Sequence, residues 1–474
     1  MLSSWLEKTY STSVFSVKRH YQIILLDTNA RGLHQIVKEF AVSKTSDFSD
    51  SQPVAASEIV EFEEPVKELL EAFRTQNKLL EPFSEPIYWT KALNPIKEDF
   101  IARLERIFKN HHYSNFGEQH QELEQKLRDY LGVKTCILVN NATIGLMLAL
   151  KAAEKLSEVK SKKVITTAFT FPATVQAIKF LGFEPVFADI CPFSLCLDPE
   201  NVERTIKKYG VPFAALPVHV FGNVCDLEAF NYLKQKYGFV LIYDAAHVFG
   251  TKVKGHGIGC FGDISVFSLH ATKILHTAEG GILTSDSVDY ETLHILRNNG
   301  FAGVDLVKGL GINAKLSEIN CALGLSIFPL IDEAIKKRKK LYEFYQAILK
   351  PVDFLEPLLR VSSDVSPSYM YCPYALSSKS GISREALIER LKKYKVVIRR
   401  YFYPLLSKVN CYLDAAGADE LPVSEDIVQR SFVLPLNSYM EIDDVVKICE
   451  LLKLELTALR NGVTARQAVI NPEI

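Results

Sequence analysis

Residues 267–281 read FSLHATKILHTAEGG. An apolar, strand-like run (ISVFSL, 264–269) gives way to a lone lysine, Lys273, and a Gly280–Gly281 step then opens a second such run (GGILTSD, 280–286). A lysine outside a strand end is ordinarily a solvated charge, so its role has to be read from the chain around it. Five more runs of the same kind precede it: TCILVN (135–140), KVITT (163–167), PVFADI (185–190), AALPVHV (214–220) and FVLIYDA (239–245). Helical patterns stand between several of them: TIGLMLALKAAEKL (143–156), ATVQAIKFL (173–181), NVERTIKKY (201–209) and DLEAFNYLKQKYG (226–238). Continuous apolar strands alternating with amphipathic helices predict an α/β domain built on a large, mostly parallel, seven-stranded sheet with helices on its faces.

The flanks differ in character. Residues 1–85 hold one strand-like run (YQIILLD, 21–27), two helix-like segments (30–42 and 61–80) and a polar gap between them. The prolines of LEPFSEP (80–86) mark a boundary, because each pushes the preceding residue toward extended geometry. Beyond about residue 325 come three more helical patterns, IDEAIKKRKKLYEFYQAIL (331–349), SREALIERLKKY (383–394) and EIDDVVKICELLKLEL (441–456), with a polar stretch, SSDVSPSYMYCPYAL (362–376), between the first two. The expected organisation is an N-terminal module (1–85) to which no function is assigned, a large α/β domain (86–325) and a small C-terminal α/β domain (326–474).

Composition narrows the function classes. The 474 residues carry 55 Lys and Arg against 56 Asp and Glu, a formal net charge of −1, which gives no global electrostatic reason to expect nucleic acid or an acidic membrane as partner. Nine cysteines occur without a CxxC pair, so the spacing suits neither a zinc site nor a disulfide framework, and a reducing, cytoplasmic setting is expected with no metal. The first residues lack the apolar core and small-residue cleavage site of a signal peptide, and no apolar run is long enough to span a bilayer.

In open α/β sheets ligands bind beyond the carboxyl ends of the strands. Three such ends are polar here: LIYDAAH places Asp244 and then His247, VFSLHATK places Ser268 and then Lys273, and ILVNNAT leads into Thr143 at a helix start. An amine to bond an aldehyde, a carboxylate to keep a pyridine nitrogen protonated and helix N-terminal amides for a phosphate are what pyridoxal phosphate (PLP) requires. Taken singly, Asp244 reads as well as a strand-end cap, Thr143 as a first-turn residue and His247 as a structural histidine. Their conjunction in order is what points to the cofactor.

Longer motifs carry a resemblance. YSNFGEQHQELEQKLRDYLGV (113–133), VNNATIGLMLAL (139–150), TAFTFPATVQAI (167–178), YDAAHVFG (243–250), FSLHATK (267–273) and LGINAKLSEINCALGL (310–325) follow one another as the motifs of the DegT/DnrJ/EryC1/StrS aminotransferases do. From about residue 86 onward the chain resembles that family of PLP-dependent nucleotide-sugar aminotransferases, which implies the fold-type I (aspartate aminotransferase-like) architecture and a homodimer with shared active sites. By that likeness Lys273 is the catalytic lysine that bonds PLP. Asp244 pairs with the pyridine nitrogen, Ala142, Thr143 and Ser268 hold the phosphate, and Phe171 lies against the ring. His247 contacts the cofactor, and Asn313 reaches the phosphate of the neighbouring subunit. Two positions depart from the pattern: Ala142 replaces a turn glycine, tolerable only at negative φ or modest strain, and Lys315 replaces an arginine, keeping charge but losing the bidentate fork.

Within the family, a lysine rather than a histidine at 273 implies transamination, not dehydration. IYWTKALNPIKEDF (87–100) and VIRRYFYPL (397–405), with the motifs above, are most similar to the VioA-type branch of dTDP-4-amino-4,6-dideoxyglucose transaminases. The likeness implies glutamate as amino donor and dTDP-4-keto-6-deoxyglucose as acceptor, feeding polysaccharide biosynthesis. Tyr113, Arg399 and Tyr401 are its substrate candidates, although Arg399, Arg400 and Tyr401 read equally well as a solvated basic strand end. A C-3 ketosugar nucleotide or another ketone as acceptor, and a non-catalytic dimeric scaffold serving the N-terminal module, are the competing readings.

Overall fold

The computed structural model describes residues 81–462 and a two-stranded antiparallel ribbon, Val14–Val17 with Tyr21–Ile24. The ribbon includes the first half of the YQIILLD run. The helix-like segments at 30–42 and 61–80 lie outside the described residues.

All seven expected strands form one sheet. They are β1 (Thr135–Val139), β2 (Lys163–Thr166), β3 (Glu184–Phe187), β4 (Ala214–Leu216), β5 (Val240–Asp244), β6 (Ile264–Ser268) and β7 (Gly281–Ser285). Their order is β1-β7-β6-β5-β4-β2-β3, and only β7 runs antiparallel to its neighbours. Alternate residues feed two separate cores, as a sheet covered on both faces requires. Ile137, Val139, Val240, Ile242, Ile264 and Val266 pack on one face, and Cys136, Leu138, Leu241, Tyr243 and Phe267 on the other.

Helices α1 (Lys97–Asn110) and α2 (Glu118–Leu131) precede the sheet. The crossovers contain α3 (Ala142–Ala153), α4 (Pro172–Phe180), α5 (Pro199–Tyr209) and α6 (Leu227–Tyr237). Capping fixes the ends of α6: Asp226 accepts from the Ala229 N–H at its start, and Gly238, at φ 76°, ends it. Then follow α7 (Tyr290–Arg297), α8 (Glu318–Ile327), α9 (Ile331–Leu349), α10 (Arg384–Lys392), α11 (Pro422–Arg430) and α12 (Ile442–Arg460). A second, antiparallel sheet, β8 (Leu355–Pro357), β9 (Cys372–Leu376) and β10 (Ser431–Leu434), pairs in the order β8-β9-β10. The stretch 362–376, polar by its composition, is buried over its second half, since β9 is buried throughout and Tyr369, Met370 and Tyr371 before it are buried as well. Tyrosine counts as polar in a sequence but buries a large ring when its hydroxyl finds a partner. Among the described residues, no helix is long and apolar enough to cross a membrane.

Glu318 joins two distant motifs. Its buried carboxylate accepts from the Gln119 N–H (2.8 Å) and the His120 N–H (3.3 Å), capping α2 from the first turn of α8. Gly117, the N-cap of α2, is glycine because a Cβ there would lie 2.7 Å from that carboxylate. Glu318→Ala is expected to orphan these amides and destabilise the fold by about 1–2 kcal/mol, read as a lower denaturation midpoint at unchanged m-value.

Candidate active site

The six parallel strands end at one edge, and the antiparallel β7 begins there. Asp244 closes β5 and is 5% exposed. Its Oδ2 accepts from the Thr174 hydroxyl on α4 (2.8 Å) and its Oδ1 from the Ala246 N–H (3.1 Å). Burial pushes the Asp244 carboxyl up, while Thr174, Ala246 and the positive charge of Lys273 pull it back.

Lys273 follows β6 in a loop fastened by main-chain bonds from Leu269 N to Gly280 O, Ala271 N to Ala278 O and Thr277 N to Leu269 O. Its Nζ donates to the Tyr371 hydroxyl at 3.4 Å. Burial lowers the amine to about 8, against the opposing influence of Tyr401 and Asp244, so about a tenth of it is neutral at pH 7, some two orders of magnitude more than for an ordinary lysine. His247 is buried, its Nδ1 accepts from the Phe221 N–H (3.3 Å), and its ring stacks on Phe402 at 5.7 Å. Burial first, and Lys273 second, push the imidazole far below its ordinary value, so it is neutral and carries its proton on Nε2.

On the other side of the site, the end of β6, the start of β7 and the first turn of α3 come together. Ser268, the last residue of β6, pairs across to Gly281, where a Cβ would stand 2.9 Å from the Ala142 nitrogen. Glycine is thus needed for the start of α3 to approach the sheet. Asn141 caps α3, its side chain accepting from the Ile144 N–H. Ala142 lies in the helix, not among the positive-φ residues, so its replacement of a turn glycine carries no strain. The first turn of α3 holds no acidic residue, unlike those of α1, α2, α5, α6, α7 and α8. An anion would meet free amides there without repulsion. Phe171, the N-cap of α4, keeps its ring 54% exposed beside this edge. Helix N-terminus, hydroxyl, exposed aromatic face, buried carboxylate and depressed amine suit PLP.

Tyr401 also comes to this cluster: its ring lies 5.6 Å from that of Tyr371, and burial pushes its phenol above the ordinary value. Arg399 stands over the Tyr401 ring at 5.0 Å, whereas Arg400 turns to Tyr403 and Glu385. Tyr113 and Asn313 are exposed, and among the described residues no hydrogen bond or ring contact joins either side chain to the Lys273 cluster. Lys315, exposed in part, donates to Asn298. Sequence reasoning missed Tyr371, hidden in a stretch taken as polar, and the partnership of Thr174 with Asp244, for which one helical turn between Thr170 and Thr174 was the available signal.

Residues 94–453 match the DegT/DnrJ/EryC1/StrS aminotransferase family. The chain belongs to this family. Its members are PLP-dependent sugar aminotransferases, and this chain is a PLP-dependent aminotransferase with the fold-type I architecture. It is 34% identical over 360 residues to a dTDP-4-amino-4,6-dideoxy-D-glucose transaminase of Shigella dysenteriae, covering 76% of this chain and 96% of that one. The Escherichia coli protein of the same name is 35% identical over 362 residues, 76% of this chain and 95% of the relative. The crystal structure of DesI with its TDP-sugar product superposes with a TM-score of 0.74 at 30% identity, over 82% of this chain and 97% of that one.

Only the neutral amine is nucleophilic, so in protein freed of cofactor the labelling of Lys273 by an acylating reagent should be half-maximal near pH 8, well below the surface lysines. Asp244 favours the ammonium form, so Asp244→Asn should move that midpoint lower still. Peptide mass spectrometry across a pH series reads both.

Proposed function

We propose that this enzyme transfers an amino group from glutamate to dTDP-4-keto-6-deoxyglucose, giving dTDP-4-amino-4,6-dideoxyglucose. The observation that carries the reading is the enclosure of Lys273, an amine held at about 8, in a site fitted for PLP. The two relatives of that product name, each about a third identical over nearly their whole length, support the choice of sugar, and the TDP-sugar of the DesI structure supports the nucleotide.

PLP, when bound, supplies the electron sink that lets a substrate carbon lose its proton. The chain's residues do the rest. The amides of Ala142 and Thr143 with the Ser268 hydroxyl would hold the phosphate, Phe171 would lie against the ring, Asp244 would keep the pyridine nitrogen protonated, and neutral His247 would contact the cofactor without adding charge. Lys273 would anchor the cofactor covalently and its amine would move the proton at the substrate carbon. Its lowered pKa leaves it able to take a proton near neutral pH.

We infer further that two copies pair and share their sites. Val304, Leu306, Val307, Leu310 and Ile312 expose their apolar side chains in the segment leading to Asn313, a patch suited to cover by a second chain. The domain limits 86–325 and 326–474 remain part of the proposal, each holding one of the two sheets apart from the short strands.

Purified protein should absorb near the visible edge, and borohydride should fix one PLP on Lys273 in the wild type and none on Lys273→Ala. With glutamate, product should form from dTDP-4-keto-6-deoxyglucose and not from a C-3 ketosugar nucleotide. The reverse preference would overturn the choice of acceptor, and a protein that stays colourless with added PLP would overturn the whole reading in favour of a scaffold. Asp244→Asn should lower kcat by about a hundredfold or more.

A further inference from the structure

Arg399 differs from the arginines around it. Arg384 and Arg400 both lie on Glu385, Arg430 pairs with Glu356 and Asp426, and Arg103 with Asp99 and Glu122. Arg399, exposed at its side chain, makes no ion pair or side-chain hydrogen bond among the described residues. It is nevertheless held: its guanidinium stands 4.8 Å from the ring centroid of Trp89 and 5.0 Å from that of Tyr401. Rings this close to a guanidinium attract it by the cation–π interaction without using its N–H donors as an ion pair would. An exposed cation that is oriented by aromatics but left without a counter-ion is arranged to receive an anion.

Its place in the fold narrows which anion. Ile87 and Tyr88 pair in parallel with Val396 and Val397, which brings the IYWT and VIRRY segments side by side. Arg399 exchanges main-chain hydrogen bonds with Val433 of β10, and the Leu436 N–H donates to Trp89 O. Thr90 Oγ1 donates to Thr272 O (3.0 Å), next to Lys273. On the other side, Tyr401 lies against Tyr371, whose hydroxyl meets Lys273 Nζ at 3.4 Å. The clamp is thereby tied to the reacting amine along both of its walls.

We propose that Arg399, positioned by Trp89 and Tyr401, takes the α-carboxylate of the amino donor. This rests on the aminotransferase reading above and names a subsite of it. The α-carboxylate is bonded to the carbon that carries the transferred amine, so it must lie close to where Lys273 works. The diphosphate of a sugar nucleotide is separated from its reacting ketone by the sugar ring. A guanidinium held beside two rings and without an ion pair among the described residues matches a carboxylate through two parallel N–H donors. The same contact selects α-amino acids over simple amines.

The test is the half-reaction of PLP-loaded enzyme with glutamate alone, followed by absorbance, beside steady-state kinetics with the sugar nucleotide. Arg399→Ala should raise the glutamate concentration for half-saturation about tenfold or more, the size of one charge-assisted contact, with KM for the nucleotide sugar unchanged. Arg399→Lys should recover part of the loss, and Trp89→Leu should show a smaller shift of the same kind. In the PLP-loaded wild type, glutamate but not dTDP should protect Arg399 from phenylglyoxal, read by peptide mass. An unchanged glutamate dependence in Arg399→Ala, or a rise confined to the nucleotide sugar, or protection by dTDP instead, would overturn the assignment while leaving the aminotransferase reading intact. A wild type whose spectrum no amino acid alters would instead overturn that reading and the assignment with it.

Discussion

A buried carboxylate and a half-buried amine lie within reach of each other's charge at the carboxyl edge of one sheet, and the surrounding elements are arranged around the difficulty this creates. Removing an ion from water is costly unless hydrogen bonds or an opposite charge compensate. Asp244 finds its compensation in α4 through Thr174 and in its own turn through Ala246, and Lys273 finds its in Tyr371, just before β9. Each group is still pushed toward its neutral form. A cationic pyridine nitrogen beside Asp244 and a bond to the Lys273 nitrogen would each relieve a desolvated group, which makes the site an acceptor for its cofactor on physical grounds.

The sheet order serves that arrangement. With β7 inserted antiparallel between β1 and β6, Ser268 faces Gly281, and Gly281 in turn lies under the first residues of α3. One missing Cβ therefore lets a helix end, a strand end and a hydroxyl converge. At the opposite margin, Phe402, from the segment that also carries Arg399, stacks 5.7 Å from Phe221, which follows β4, beside His247.

Much of this was legible. The seven strands of the large sheet read directly because each is buried on both faces, so burial shows as uninterrupted β-branched and apolar runs. Asp244, Ser268 and Lys273 were visible because they interrupt such runs at their ends. The small sheet was not legible: β8 and β10 are short, and β9 follows a serine- and tyrosine-rich stretch and holds Tyr374, whose hydroxyl meets Gln346 only across 28 residues. The same long-range character hid Tyr371 and Trp89. Each meets its partner across a sequence gap that no periodicity encodes, 98 residues for Tyr371 and Lys273. The role of Glu318 escaped for a related reason, since a carboxylate capping a helix 199 residues away leaves no local pattern.

The reversed direction of β7 has an entropic side. A parallel neighbour would have required the chain after Lys273 to cross back over the sheet through a helix, leaving the lysine on a long and weakly constrained excursion. Because β6 and β7 pair antiparallel, residues 269–280 form a closed hairpin loop whose two ends are already brought together by the sheet. The freedom lost in fixing the reacting amine is then mostly lost when the sheet itself forms, and the cost of closure grows only slowly with loop length. The amine meets its substrates already ordered, so little of their binding energy is diverted to arranging it.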